Sequence, residues 1–325
     1  NFDFPDVFAF AGTQFFVADS SRHRVLVWNG IPTASNQDAD FVVGQANFST
    51  VVAARTQSQL NTPRGICVGG GKLWVPDYSN HRVMGFDLPI STNGPNASVV
   101  LGQTSWTTAT SGVGFDRTNN PIRCFYDGSK FYVVDRTYDR VLIWNSIPNM
   151  TTVLDNPPAD IRIGDDTDNT TTQAGIRDPW GIYSDGSRLY VADAGNHRIM
   201  VWDPIPTTND ENATFHLGAN ADWTTRTGGV SSVALNSPVD ITGDSSGKIY
   251  VLDDENSRVM VYDNPSTSNE TASEIYGKTS YVDTLEPGDG NVSLSDEIRG
   301  IFYHENRIFI GDNIHSKVIV FPVRP

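Results

Sequence analysis

A carboxylate, an imidazole and a guanidinium fall within six positions at Asp193, His197 and Arg198, in the stretch "DAGNHRIMVW". An acid that orients a histidine, with a cation beside them for an oxyanion, is the equipment of acid–base or nucleophilic catalysis. The stretch returns six times, however, as "DSSRHRVLVW" from Asp19, "DYSNHRVMGF" from Asp77, "DRTYDRVLIW" from Asp135, then from Asp193, "DDENSRVMVY" from Asp253 and "DNIHSKVIVF" from Asp312. A site for one ligand need not be copied in every repeat, so columns filled throughout are explained most simply by architecture. The Asp column is filled in all six units, and five residues on stands Arg in five of them and Lys317 in the sixth, so a carboxylate and a cation bracket each hairpin turn. The histidine column is less regular: His23, His81 and His197 give way to Asp139, Ser257 and Ser316. Those replacements keep a hydrogen-bonding group but lose a proton-transfer pKa, so the constellation reads as a turn rather than a reaction centre.

The elements around that turn also repeat. The six aspartates are spaced by 58, 58, 58, 60 and 59 residues. Fourteen residues before the Asp stands Pro5, Pro63, Pro121 or Pro179, fifteen before it Pro238, with Ile298 in that place in the sixth unit. A short strand follows the Pro, then a Gly-containing turn such as "DGSK" or "DGSR", a second strand such as "LYVAD", a third such as "RVLVW", and a fourth ending at Gly44, Gly102, Gly164, Gly218 or Gly277. Four short antiparallel strands cannot bury both faces of their sheet alone, and radial packing of six such sheets solves this. The sequence therefore predicts an all-β, six-bladed propeller filling one domain over residues 1–325, with repeats at about 5–62, 63–120, 121–178, 179–237, 238–297 and 298–325.

The pieces "P-x-G-I", "LYVAD" and "NHR-I/V" resemble the NHL-repeat family, most closely at Asn80-His81-Arg82 and Asn196-His197-Arg198, while Asn256-Ser257-Arg258 and His315-Ser316-Lys317 drift from it. The resemblance spans essentially the whole chain and implies the six-bladed propeller. It implies no single function, because the family includes amidating lyases, ligase-associated RNA binders and extracellular receptors. The amidating-lyase branch would imply a zinc held by histidines in the central channel. None of the first strands contains His: His216 falls on an outer strand, His304 in a first-turn loop and His315 in a hairpin turn, so no metal site and no cofactor are expected.

A formal charge of −15 and a pI near 4.6 argue against nucleic acid and anionic lipid surfaces, which need clustered Lys and Arg. No apolar run approaches the roughly 18 residues of a membrane helix, so no membrane insertion is expected. The chain begins at Asn1 without Met or a signal-peptide pattern and reads as a processed or partial chain. Two cysteines, five Lys against eighteen Arg, and abundant Asn, Thr and Asp suit a secreted protein. Glycosylation sequons start at Asn47, Asn96, Asn149, Asn169, Asn212, Asn269 and Asn291. The acidic clusters at Asp165, Asp166 and Asp168 and at Glu286 and Asp289 lack the spacing of a calcium loop and read as solvated loops.

If recurring columns are scaffold, function belongs where the repeats disagree. The position after the column Pro reads Asp6, Arg64, Ile122, Trp180, Val239 and Arg299, and the next reads Val7, Gly65, Arg123, Gly181, Asp240 and Gly300. Arg64, Arg123 and Arg299 with Asp6, Asp240 and Trp180 thus form the candidate site at the mouth of the channel, for an anionic or sugar-like ligand, with arginines as donors and Trp180 as a stacking face. The plainer expectation is that Asp6 and Asp240 merely neutralise the arginines.

Cys67 and Cys124 lie on the first strands of adjacent blades with opposite parity and are candidates for a disulfide between them. After Asp312 only thirteen residues remain, enough for a third strand and not a fourth, which leaves an edge at Lys317–Phe321 open to strand addition or self-assembly. The resulting expectation is a secreted, non-catalytic recognition or assembly module with a protein or carbohydrate partner. The alternatives are a hydrolase or lyase of the amidating-lyase or lactonase kind, marked by a bound metal or a carboxyl with a strongly raised pKa, and a structural subunit of an extracellular polymer.

Overall fold

The structure is a computed structural model that describes residues 3–34, 36–148, 156–164, 171–218, 222–278, 280–281, 294–295 and 297–324. Every blade is an antiparallel meander whose strands pair in chain order. The first holds β1 (Pro5–Ala11), β2 (Gln14–Asp19), β3 (Arg24–Trp28) and β4 (Phe41–Val43), and the second β5 (Cys67–Gly69), β6 (Lys72–Asp77), β7 (Arg82–Asp87) and β8 (Val99–Leu101). The third holds β9 (Pro121–Tyr126), β10 (Phe131–Asp135), β11 (Arg140–Trp144) and β12 (Ile161–Ile163), and the fourth β13 (Pro179–Ser184), β14 (Leu189–Asp193), β15 (Arg198–Trp202) and β16 (Phe215–Leu217). The fifth holds β17 (Pro238–Gly243), β18 (Lys248–Asp253), β19 (Arg258–Asp263) and β20 (Glu274–Tyr276), and the sixth β21 (Ile298–His304), β22 (Arg307–Asp312) and β23 (Lys317–Pro322). The fold is thus the expected six-bladed, all-β propeller with a three-stranded last blade. No helix among the described residues is long and apolar enough to cross a membrane.

By its internal contacts the chain divides into two compact units, residues 1–138 with 142–160 and residues 139–141 with 161–325. Within each, the core lies between neighbouring sheets. In the first unit Phe16, Val25, Leu73 and Met84 pack between blades one and two, and Trp74, Phe131 and Leu142 between blades two and three. In the second, Tyr190, Val201, Val251 and Met260 fill the space between blades four and five. Because both faces of the second strands are covered, "QFFVAD" and "LYVAD" are buried at every position instead of alternating. Fully burying one such Val, Leu or Phe contributes roughly 1.5–3 kcal/mol.

Cys67 and Cys124 form a disulfide, with Cα atoms 5.6 Å apart, joining β5 to β9. Their opposite parity lets one side chain face each way across the gap. First strands of successive blades approach one another, β1 to β5 and β5 to β9 in the first unit and β13 to β17 and β17 to β21 in the second. Glycine permits the closest approaches: a Cβ on Gly65 would stand 2.4 Å from the Ile122 carbonyl, and one on Gly181 2.5 Å from Asp240 Cα.

Candidate functional site

The conserved-looking constellation proves to be a clamp built into the blade. After the Asp, one 3-10 turn in blades one to five and a plain turn in blade six ends on a residue in the left-handed region, His23 (φ 55°), His81 (51°), Asp139 (49°), His197 (55°), Ser257 (48°) or Ser316 (48°). Arg198 and Asp193 are fully buried, with Nε donating to Oδ2 at 2.7 Å. The same guanidinium donates to the carbonyls of Thr172 and Gly175, which precede the column Pro, and of Trp223, which follows the fourth strand. Arg82 does this with Asp77, Thr56, Gln59 and Trp106, and Arg258 with Asp253, Ser231, Ala234 and Tyr281. The other carboxylate oxygen accepts a backbone N–H two residues before the Pro, from Asn61, Asn119, Arg177 or Asn236. Each pair therefore ties the incoming and outgoing linkers to the turn. Burial pushes the Asp77, Asp193 and Asp253 carboxyls upward, and the paired arginine opposes it.

The histidine column has its own task. Nδ1 of His23, His81 and His197 accepts the N–H of Thr62, Asn120 and Ser237, each at 3.0–3.1 Å and each just before the next blade's Pro. In blade three Asp139 Oδ1 accepts the Asp178 N–H at 2.7 Å instead. An accepting Nδ1 carries no proton, and burial lowers the pKa of all three histidines. The column thus links blades, and a carboxylate serves as well as an imidazole.

Most of the symmetry-breaking residues lie where a first strand bulges, whereas Arg64 lies ahead of β5, just after the isolated bridge between Pro63 and Asp77. Pairing with the second strand shifts between Pro5 and Phe8, between Pro179 and Ile182, between Pro238 and Asp240 and between Ile298 and Ile301. A bulge re-aims side chains, which accounts for why these positions vary in type while the flanking columns do not.

In the first unit the Arg64 guanidinium lies over the rings of Phe4 and Tyr78, 5.9 and 5.4 Å from their centroids. It is half-buried, and its buried Nε has no hydrogen-bond partner. Arg123, buried in the strand opposite Gly65, donates through Nη1 to the Arg64 carbonyl. Asp6 is buried, and the single proton of the Ser20 hydroxyl is shared between its carboxylate and the Pro63 carbonyl.

In the second unit the Arg299 guanidinium lies 4.8 Å from the Trp180 ring centroid and donates to Asp254 Oδ2 at 2.9 Å. Asp254, which the sequence reading passed over, is 4% exposed and also accepts the Ile298 N–H. Burial pushes its carboxyl up to about 7, against the pull of Arg299. The available signal was the doubled acid "DD" at Asp253, unique among the six turns. Asp240 accepts backbone N–H groups from Ile241 and Ile301.

The remaining histidines sit apart: His216 in β16, edge-on to Trp223 with burial lowering it to about 4; His304 at the end of β21, rather than in the loop after it; and His315 against Asp312. Among the described residues no group of three or more His, Cys, Asp or Glu side chains is placed to hold a metal ion. Asn47, Asn96 and Asn212 are exposed and Asn269 half-buried, whereas Asn149, Asn169, Asn291 and the two acidic clusters lie outside the described residues.

Residues 60–86, from the second blade's Pro approach through its third strand, match the family model for the NHL repeat. The chain is a six-bladed β-propeller carrying an NHL repeat. A search of curated proteins returns no match. Among solved structures this propeller is similar to hydrazine synthase of Kuenenia stuttgartiensis, at 12% identity, a TM-score of 0.54, and coverage of 99% of this chain and 96% of that one. It is also similar to the WD40 β-propeller domain of Doa1, at 11% identity, a TM-score of 0.52, and coverage of 98% and 93%. At such identities the likeness is one of fold alone.

Proposed function

We infer that the protein is a secreted, non-catalytic recognition module that takes an anionic ligand at Arg64, on the approach to the first strand of the second blade. The observation that carries this reading is Arg64, a half-buried guanidinium held between two aromatic rings with an unsatisfied buried donor. A carboxylate or sulfate meets the two terminal nitrogens of such a guanidinium, which are not buried as Nε is, with charge-assisted bonds, and the rings keep the group in place without neutralising it. Arg299 differs, because Asp254 and Trp180 already engage it. Secretion is supported by the Cys67–Cys124 disulfide, which persists in oxidising compartments, and glycosylation by the exposure of Asn47, Asn96 and Asn212. Calorimetric titration with D-glucuronate and with sulfate at low salt tests the site. Binding that Arg64→Ala abolishes and Arg299→Ala spares is expected; binding indifferent to Arg64→Ala refutes it.

Assembly rests on the outer strand of the three-stranded blade. Val320 on β23 is 45% exposed, beside exposed Lys317 and Pro322. A partner strand here would be added along β23. Light scattering across a concentration series, with Val320→Lys for comparison, reads it directly: a monomer at all concentrations rules out self-assembly.

A hydrolase or lyase is favoured only by the Asp254 carboxyl, raised to about 7 and so available as a neutral-pH acid. Its two oxygens are engaged by Ile298 N–H and Arg299. Turnover of aryl esters or lactones that Asp254→Asn removes would establish this reading over the binding one.

A further inference from the structure

The first-to-second-strand turns close the blades at the end away from the Asp turns, and there blade five departs from its neighbours. Ser184 pairs with Leu189 and Tyr303 with Ile308, each with four residues between them, whereas Gly243 pairs with Ile249 with five between them. The additional residue is the one that puts Pro238 fifteen positions before its Asp instead of fourteen. Gly243, with Ser184 and Tyr303 in the same register, is the smallest of the three, and a Cβ there would stand 2.6 Å from the ring of Tyr183. An open cavity of about 490 Å³ results, lined by Tyr183, Asp185, the Asp244–Gly247 turn, Asn264 and Tyr303. That size lies within the roughly 300–1,000 Å³ of small-molecule sites.

Its walls are fixed before any ligand arrives. Tyr303 stacks on Tyr250 at 5.9 Å and 16°, the Tyr250 hydroxyl donates to Asp244 Oδ2, and the Tyr303 hydroxyl donates to Asn306 Oδ1 at 2.8 Å. Tyr183 packs on Tyr190 at 6.0 Å. Burial, with the carboxylates of Asp185 and Asp244 nearby, pushes the Tyr183 phenol up to about 12, which keeps it neutral. Asp244 Oδ1 caps its own turn through the Ser246 and Lys248 N–H groups, leaving exposed Ser245 at the tip. Asp185 is likewise committed to its turn and to Arg188, whose Nη2 donates to Asn264. Two aromatic walls with a rim of hydroxyl, amide and carboxylate oxygens match a ring that is apolar on its faces and hydroxylated at its edge. A small ammonium ion would meet the same rings, but Arg188 already balances Asp185.

We propose that this cavity, between the first-strand ends of blades four to six, is a binding site for a neutral pyranose, with Tyr183 and Tyr303 as stacking faces and the Ser245 turn and Asn264 as hydrogen-bonding rim. The site is separate from Arg64, which lies in the other unit. Saturation-transfer NMR of the full chain with methyl α-D-mannopyranoside, methyl β-D-galactopyranoside, N-acetylglucosamine and tetramethylammonium tests it. At least one pyranose should bind saturably, with a Kd of order 1 mM, weakened at least about tenfold by Tyr303→Ala and unchanged by Arg64→Ala. Ser245→Trp, on the exposed turn, puts an indole into the cavity while leaving the tyrosines that line it unsubstituted, and should abolish the signal even if Tyr303→Ala fails to fold. Saturation by tetramethylammonium alone, by no probe at all, or undiminished in Ser245→Trp overturns the proposal, as does loss of pyranose binding in Arg64→Ala.

Discussion

Three histidines accept rather than donate at their blade junctions, and that choice makes stability depend on pH. Protonating Nδ1 of His23, His81 or His197 turns the acceptor into a donor aimed at the N–H of Thr62, Asn120 or Ser237. Losing one such bond and stranding a half-buried N–H costs about 1 kcal/mol, so three lose about 3 kcal/mol together. The sign follows from burial, which holds each folded-state pKa below the usual 6.5. The unfolded chain then takes up protons first on acidification, so this stability is complete above pH 6.5 and is lost as pH falls through and below that value. Asp254 works in the opposite sense: its raised carboxyl keeps a proton in the fold that the unfolded chain has lost, which stabilises the fold as pH drops below about 7.

A variant that keeps the acceptor without the titration separates the two. Asn suits all three positions, because its Oδ1 accepts and it tolerates the left-handed backbone at φ 51–55°. Urea unfolding followed by Trp fluorescence, at about pH 7.5 and about pH 5, compares wild type with His23→Asn/His81→Asn/His197→Asn. Wild type should lose about 3 kcal/mol more than the variant across that interval. Equal losses in the two proteins would refute the accepting role of the histidines, since Asp254 contributes identically to both.

Reducing the Cys67–Cys124 disulfide releases a loop of 57 residues, for which chain entropy predicts a loss of about 4 kcal/mol; urea midpoints with and without a phosphine reductant measure it. Arg198→Met strands a fully buried Asp193 and three backbone carbonyls and should cost about 3–5 kcal/mol, read from the same transition. Gly181→Ala drives a methyl into the Asp240 backbone and should cost about 1–3 kcal/mol, whereas Gly186→Ala, with no atom within 4 Å but φ at +86°, isolates the backbone strain for comparison.

Period and turn chemistry were enough to specify the propeller. Six copies of an Asp turn at near-constant spacing fix which strands neighbour one another, because each short sheet can bury its faces only against the next copy. The same copying marked Asp193, His197 and Arg198 as scaffold, and the remainder after Asp312 marked the three-stranded blade. Opposite parity was enough to suggest the cysteine pair, while the 5.6 Å approach that lets it close belongs to the packing of β5 on β9.

What only the tertiary structure decided is who meets whom across blades. Arg64 and Arg299 occupy one column, yet one guanidinium lies between Phe4 and Tyr78 and the other is held by Asp254 and Trp180. Those partners come from other segments of the chain, and no local pattern encodes which of them meet. The extra turn residue of blade five was visible as a count of fifteen instead of fourteen, but the cavity it borders exists because Tyr183 and Tyr303 arrive from the blades on either side. A repeat dictates the scaffold because every copy obeys the same local physics; a site arises from the differences between copies, and those take on meaning only where distant strands converge.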